Sequence, residues 1–260
     1  MLSLAEAKLF DFGHISYMAV SFAIMIGLLV LAAIYLKAPR QKDNFLKFWA
    51  IFTVILHYTV VYTNFLFEID SDIGGNMLFP IYPCNVCMWT LFAVSLIKDK
   101  KSIAFQILAE FTFWAGTICG IVGIVLNDNY IGSEGLFRDY EVFKGLVSHS
   151  TMIMGTVYLL VGKFIKIRVF NVLSVASGLL VFFLLNGSII NWLYLRFRGE
   201  ERNSMYLQEP PFEGMDWFNT AFIGLIAVCV CFVITAIYEQ IALKKEDRWY
   251  SKLKQLFAHK

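Results

Sequence analysis

The sequence has few charged residues, which occupy 16% of its 260 positions. A soluble domain carries about 25% charged and about 45–50% apolar residues, whereas the hydrophobic fraction here is 58%. Most of the charges lie between long apolar blocks rather than within them. This distribution excludes an ordinary soluble domain and predicts helices that cross a membrane.

Signals for secretion, nucleic-acid binding and metal binding are also missing. Residues 1–16 have no basic region and no small-residue cleavage site, so we predict that no signal peptide is removed. No basic stretch interleaved with aromatics indicates a nucleic-acid partner. The chain has five cysteines, and its one CxxC pair supplies only part of the ligand set of a zinc site. We therefore predict no metal and no cofactor.

Seven apolar blocks are long enough to cross a hydrocarbon core of about 30 Å, which takes roughly 20 helical residues. They are 14–36, 47–67, 78–97, 103–126, 142–162, 169–195 and 217–239. The connections between them are mostly short and polar. We predict an all-α fold, a polytopic seven-transmembrane-helix bundle over residues 1–243, followed by a basic tail at 244–260.

The basic residues predict the orientation of this bundle. With seven spans, 16 of the 22 Lys and Arg residues fall on one side of the membrane. They lie in 37–47, 98–101, 163–168 and the tail, whereas the other six, Lys144 among them, fall on the opposite side. Because basic residues favour the cytoplasmic side, we predict an N-terminus outside and a cytoplasmic C-terminus.

Titratable groups inside a span are candidates for function. Cys84 and His149 lie about six and seven residues inside the outer ends of their spans, at depths of ~9 and ~10 Å. His14 opens the first span on the same face. His57 and Glu110 lie nearer the middle and the cytoplasmic half; a lone histidine in a span usually hydrogen-bonds a neighbouring helix, and the sequence assigns no partner to Glu110.

A thiol and an imidazole at one depth are the minimal parts of a cysteine nucleophile and its base. Two other interpretations stay open. Cysteine is often buried as a small hydrophobe, which is how we interpret Cys119, Cys229 and Cys231. Cys84 and Cys87 also form a CxxC pair on one helix face, a spacing that thiol–disulfide enzymes use.

The segment "FPIYPCNVCMWT" places this pair at the start of a span. Pro80 and Pro83 fit the first turn of a helix, where a missing N–H costs little. The N–H groups from Cys84 onward would then favour a thiolate or a developing oxyanion. The alternative is that the prolines only begin the span.

Four segments occur in the order of a known family's elements. They are "FGHISYMAV", "FPIYPCNVCMW", "LVSHSTMIMGTVYL" and "NSMYLQEPP". With them the chain resembles the YwaF-type bacterial integral membrane proteins, which are related to the eukaryotic transmembrane protein 164 acyltransferases. The resemblance implies a multi-pass protein of the bacterial cytoplasmic membrane.

The resemblance also implies an activity and a site. In the eukaryotic relatives an acyl chain moves from a phospholipid to a lysophospholipid, with a cysteine as the acyl carrier. Cys84 is then the nucleophile and His149 its base. The residues expected to bind substrate are His14, Tyr82, Asn85, Asn203 and Tyr206. Tyr82 and Asn85 depart from the family's His and Asp at these positions; both can hydrogen-bond, but neither is a good general base.

Three classes of function remain after the sequence alone. The first is an acyltransferase that forms a cysteine acyl-thioester at the outer leaflet, with phospholipids and lysophospholipids as partners. The second is a membrane thiol oxidoreductase using Cys84 and Cys87. The third is a non-enzymatic lipid-binding, transporter or receptor-like bundle.

Overall fold

The computed structural model describes residues 7–67, 82–127, 130–131, 133, 135–136, 138–199, 201–210, 215–217 and 219–258. Across these residues the chain forms helices and no strand, which confirms the all-α prediction. The helices are α1 (Phe12–Tyr35), α2 (Pro39–Phe67), α3 (Pro83–Leu96), α4 (Ile103–Val125), α5 (Tyr140–Val161), α6 (Val169–Arg198), α7 (Thr220–Ala242) and α8 (Trp249–Ala258). Single 3-10 turns cover Ser204–Tyr206 and Lys245–Asp247.

A helix coincides with each of the seven predicted spans, and four of these helices are long and apolar enough to cross a membrane. They are α1, α4, α6 and α7. Helix α3 is apolar but has 14 described residues, or roughly 21 Å at the helical rise. Residues 78–81, the predicted start of that span, lie outside the described residues. Helix α2 begins at Pro39, eight residues before the predicted span, because a polar first segment extends the helix beyond its apolar part.

Polar side chains fix where three of the long helices begin. The N-cap residues Asp11, Ser102 and Asn219 accept hydrogen bonds from backbone N–H groups in the first turns of α1, α4 and α7. Such caps satisfy N–H groups that have no partner within the helix. The helix starts are therefore set by residues just outside the apolar blocks.

The chain divides into two compact units, Met1–Phe164 and Ile165–Lys260. In the first unit α5 packs against α4, α2 and α1, and α3 packs against α4 and α2. Hydroxyl pairs join α5 to its neighbours: Thr53 donates to Thr151 at 2.9 Å, and Tyr17 lies 2.8 Å from Ser150. Interhelical hydrogen bonds of this kind supplement close packing in membrane bundles.

One face of α4 consists of small residues. A methyl group at Gly116, Gly120 or Gly123 would overlap a side chain of α5. The side chains met in turn are Thr156, Ile153 and His149. Because numbers rise along α4 while they fall along α5, the two helices are antiparallel. The spacing of Gly116 and Gly120 is the GxxxG pattern that lets helix backbones approach closely.

The second unit contains a buried carboxylate that joins three helices. Glu239 of α7 is 1% exposed. Its Oε1 accepts the N–H of Val169 at 2.9 Å, and its Oε2 accepts the N–H of Trp249 at 2.7 Å. One side chain thus caps the starts of both α6 and α8, where the helix dipole favours negative charge. Helix α8 itself lies in the segment that the sequence predicts only as a basic tail.

We expect Glu239→Ala to lower the free energy of unfolding by about 2–4 kcal/mol, because two helix-terminal N–H groups lose their acceptors. The free energy of unfolding of Glu239→Gln should fall between those of the parent and Glu239→Ala, since an amide can accept only one of the two bonds. Thermal unfolding of the purified protein in detergent measures the change. The exposed Glu246→Ala is the matched control and should be neutral. Equal stability of Glu239→Ala and the parent would contradict the capping role.

Candidate functional site

Cys84 lies at the start of α3, as the second residue of the helix. Tyr82 is the N-cap and Pro83 the first residue, so the prediction that Pro83 fits the first turn is confirmed; Pro80 lies outside the described residues. The half-buried Cys84 thiol donates to Asn85 Oδ1 at 3.5 Å. Asn85 is 3% exposed. The thiol is therefore at a helix N-terminus and held by the residue that follows it.

A third thiol lies beside the CxxC pair. Cys87 is fully buried one turn into α3, and its side chain hydrogen-bonds that of Cys119 on α4. Cys84 also interacts electrostatically with Cys119. Cys119, interpreted from the sequence as packing, thus belongs to a group of three thiols. Of the other two cysteines, Cys231 is buried and Cys229 is exposed.

His149 lies on α5 with its ring against Gly123 of α4. Its Nδ1 is 2.6 Å from the backbone oxygen of Gly145, one turn earlier. Because a carbonyl only accepts, Nδ1 carries the proton of this bond. In the neutral ring Nε2 is then the acceptor, which is the arrangement that a general base requires.

Contacts with α4 allow Cys84 and His149 to be compared in depth. The Cβ of Cys87 and the side chain of Thr156 both lie at Gly116, so these two residues share a level. Cys84 is three residues from that level and His149 is seven, or roughly 4 and 10 Å along the helices. The two predicted catalytic residues thus lie about one helical turn apart in depth.

A buried lysine, predicted from the sequence as a charge of the outer side, lies on the same helix as His149. Lys144 of α5 is 7% exposed, with its Nζ 3.9 Å from Glu141 Oε2. It interacts electrostatically with Cys84 and with His57 of α2. His57 in turn interacts with His149. We call Lys144, His57, Cys84 and His149 the Lys144 cluster. The sequence signal for this cluster is the charge of Lys144, two residues inside the predicted span 142–162.

His14 is fully buried, and both of its ring nitrogens have backbone partners. Nδ1 accepts the N–H of Phe10 at 3.1 Å, so Nε2 carries the proton and donates to the oxygen of Ile124 at 2.8 Å. Ile124 is in the last turn of α4, where carbonyls have no helical partner. The ring also stacks on Tyr130, with centroids 4.8 Å apart. A contact of His14 nitrogen with substrate would require one of these bonds to break.

Asp11 supports the same corner of the first unit. Partial burial raises the pKa of Asp11, but hydrogen bonds from the N–H groups of His14 and Lys8 and from the Tyr130 hydroxyl outweigh it and hold the pKa below its usual value. Burial, together with the bond to Asp11, raises the pKa of Tyr130 to about 12. Tyr130 therefore stays a neutral donor to an ionised carboxylate.

We expect His14→Phe to lower the free energy of unfolding by about 2–3 kcal/mol, because it keeps the stacked ring but leaves the buried Ile124 carbonyl and the part-buried Phe10 N–H unpaired. Thermal unfolding in detergent measures this, with the half-exposed neighbour Ile15→Ala as control. Unchanged stability together with weakened lipid binding would instead support the predicted substrate contact of His14.

The predicted binding residues Asn203 and Tyr206 belong to the second unit. Asn203 Oδ1 accepts the N–H groups of Gln208 and Glu209, and its Nδ2 donates to the oxygen of Glu209. Met205 and Tyr206 both have positive φ, 58° and 55°. Residues other than glycine rarely adopt this backbone conformation, and two consecutive residues in it indicate strain. Asn203 therefore closes a tight loop by its own bonds.

The second unit also contains an apolar cavity of about 430 Å³ between α6 and α7. The lining residues are Val169, Val172, Val228, Cys229, Phe232 and Val233. This lining suits an apolar chain and contains no acid–base pair. The residues of this cavity belong to the second unit, whereas those of the Lys144 cluster belong to the first.

A family described as the TMEM164 family matches residues 9–238. That range includes every residue proposed above for the site. No curated protein and no solved structure matches the chain.

Proposed function

The chain belongs to the TMEM164 family, and from this membership we propose that it is an acyltransferase acting on membrane phospholipids. Its apolar helices and its family make it a multi-pass membrane protein. One observation carries the proposal: the Cys84 thiol is half-buried at the N-terminus of an apolar helix, within the family match. A helix N-terminus supports both a thiolate and an oxyanion.

The proposed reaction has two steps. The Cys84 sulfur attacks an ester carbonyl of a phospholipid while His149 Nε2 takes the thiol proton, directly or through a water. The ester C–O bond breaks, and the departing lysophospholipid oxygen receives that proton, which leaves an acyl-thioester. A second lysophospholipid hydroxyl then attacks the thioester, His149 takes its proton, and the C–S bond breaks to return the thiol.

Substrate contacts stay predictions from the family resemblance. Tyr82, 41% exposed at the N-cap of α3, and Asn85 flank the nucleophile in sequence. Asn85 already accepts from Cys84, so it suits a role in holding the thiol. Asn203, Tyr206 and His14 stay proposed substrate-binding residues on the strength of the family resemblance.

The proposed topology places this site at the outer leaflet. We propose seven spans within residues 1–243, an outside N-terminus and a cytoplasmic tail at 244–260, in a bacterial cytoplasmic membrane. The antiparallel packing of α4 and α5 is consistent with alternating spans. A reporter fused after residue 260 should be active in the cytoplasm and one fused before residue 1 should not. An externally exposed C-terminal reporter would contradict the topology.

A transacylation assay tests the function. The purified protein is incubated with an unlabelled phospholipid donor and an isotope-labelled lysophospholipid. We expect labelled diacyl product only when both lipids and the protein are present. Failure to form it with any glycerophospholipid donor would contradict the proposal. The non-enzymatic interpretation predicts that failure.

A second candidate function rests on the hydrogen-bonded thiols of Cys87 and Cys119. Together with Cys84 they could reduce a substrate disulfide by thiol–disulfide exchange, forming a protein disulfide as the substrate thiols are released. Incubation with a model disulfide would then lower the intact mass by two hydrogens, reversibly with dithiothreitol. An acyl-thioester instead raises the mass and is sensitive to hydroxylamine.

A further inference from the structure

Lys144 is a buried cation whose hydrogen-bonding capacity is unused. Its side chain is 9% exposed, and among the described residues its ammonium forms no hydrogen bond. The single ion pair, to Glu141 at 3.9 Å, is longer than a hydrogen bond. A buried charge is stable only when it is paired and hydrogen-bonded. The three N–H donors of Lys144 are therefore suited to an anionic ligand.

A second donor lies beside it. His57 is 8% exposed, and its Nε2 has no hydrogen-bond partner among the described residues. His57 and Lys144 lie on α2 and α5 between two hydrogen bonds that join these helices, Thr53–Thr151 and Thr59–Tyr140, and they interact electrostatically. A neutral imidazole can carry its proton on Nε2 and donate it. Two unsatisfied donors on two helices thus face the same region.

We propose that Lys144, assisted by His57, binds the phosphate of a phospholipid headgroup and so holds the adjacent ester at Cys84. Helices α3 and α5 are in contact, and Lys144 interacts electrostatically with Cys84, so both residues belong to the same part of the first unit. In a glycerophospholipid the anionic phosphate is only a few bonds from the ester carbonyls, so one molecule can reach both residues. A neutral glyceride has the ester without the anion. This inference rests on the proposed function for the identity of its ligand.

Glu141 makes the proposal more specific. Its carboxylate is the only charged partner of Lys144 in the described part of the chain, and its Oε1 has no hydrogen bond there. A bound phosphate would replace this loose pair with direct hydrogen bonds from the ammonium. The negative charge of Glu141 opposes a phosphate. Removing the charge of Glu141 should therefore strengthen phosphate binding, whereas removing that of Lys144 should weaken it.

The test is lipid binding to the full-length protein in detergent, measured by native mass spectrometry. The probes are a lysophosphatidylglycerol and a monoacylglycerol with the same acyl chain. We expect the parent to bind the phospholipid at least about tenfold more tightly. Lys144→Met should remove that preference without weakening monoacylglycerol binding, Lys144→Arg should keep it, and Glu141→Gln should increase it. The exposed Lys47→Met is the matched control and should equal the parent.

Several outcomes decide the proposal. A phospholipid preference that survives Lys144→Met, or one that Glu141→Gln weakens, would overturn it. If inorganic phosphate competes with the lysophospholipid and this competition requires Lys144, the result would support an anion site that binds free phosphate as well as headgroups. The measurement is repeated in Cys84→Ala, which should bind as the parent does. Binding needs no thiol, so absence of acyl transfer in the parent, together with a retained phospholipid preference, would refute the proposed function alone.

Discussion

Replacing Cys84 with alanine is expected to reduce acyl transfer by about 10³-fold or more, because no other group can carry the acyl chain. Cys87→Ala should keep most of the activity and lose some stability, since it removes a buried thiol that contacts Cys119. Cys84 is in the first turn of α3, where the helix dipole acts, whereas Cys87 is fully buried one turn deeper.

The measurement is product formation from a labelled lysophospholipid, with maleimide labelling of each variant as a test of thiol access. Cys84→Ser is informative as well, because a hydroxyl is the weaker nucleophile at this position. Full activity of Cys84→Ala would show that the nucleophile is wrongly assigned. Equal loss in Cys84→Ala and Cys87→Ala would contradict the assignment of the nucleophile to Cys84 alone.

Gly123→Ala is expected to displace the His149 ring and to lower acyl transfer about 10- to 100-fold. The added methyl would overlap the imidazole, and a catalytic group moved by about 1 Å can lose 10²-fold in rate. Overpacking should also cost about 1–3 kcal/mol of stability. The activity loss is expected to exceed what this destabilisation explains.

Two other glycines serve as controls for this substitution. A methyl at Gly120 meets Ile153 and Met152 instead of His149, so Gly120→Ala should destabilise the helix contact but keep most of the activity. Gly27 has open space around it, and Gly27→Ala should be neutral or slightly stabilising. If Gly123→Ala and Gly120→Ala lose activity equally, His149 has no special role. Activity and thermal unfolding are measured on all three variants.

The positions of the helices could be predicted because the length of an apolar block is a local property of the sequence. The length of an apolar block does not reveal a polar helix. The sequence therefore predicts neither the start of α2 nor any part of α8. Crossing of the membrane by α2, α3 and α5 stays a prediction. The third predicted span also falls partly on residues 78–81, outside the described residues.

Contacts between helices could not be predicted from the same pattern. The depth of Cys84 and His149 along their helices gives their position relative to the membrane. The residues that contact them depend on which helix faces pack against each other, and depth does not give that. The spacing of Gly116, Gly120 and Gly123 was a signal for the α4–α5 contact. Lys144 was treated as a loop charge because it lies close to the end of a span. His14 illustrates the reverse: an apparent site residue whose nitrogens bind the backbone.

The central claim is that Cys84 carries an acyl group, and intact-mass analysis after incubation with mixed phospholipids tests it most directly. We expect the intact mass to increase by one acyl chain. Hydroxylamine should remove this adduct and Cys84→Ala should abolish it, whereas a disulfide would lower the mass and be reversed by dithiothreitol. Peptide mapping should place the adduct on the fragment that begins α3. An unmodified mass in the parent under conditions where lysophospholipid is acylated would contradict the claim.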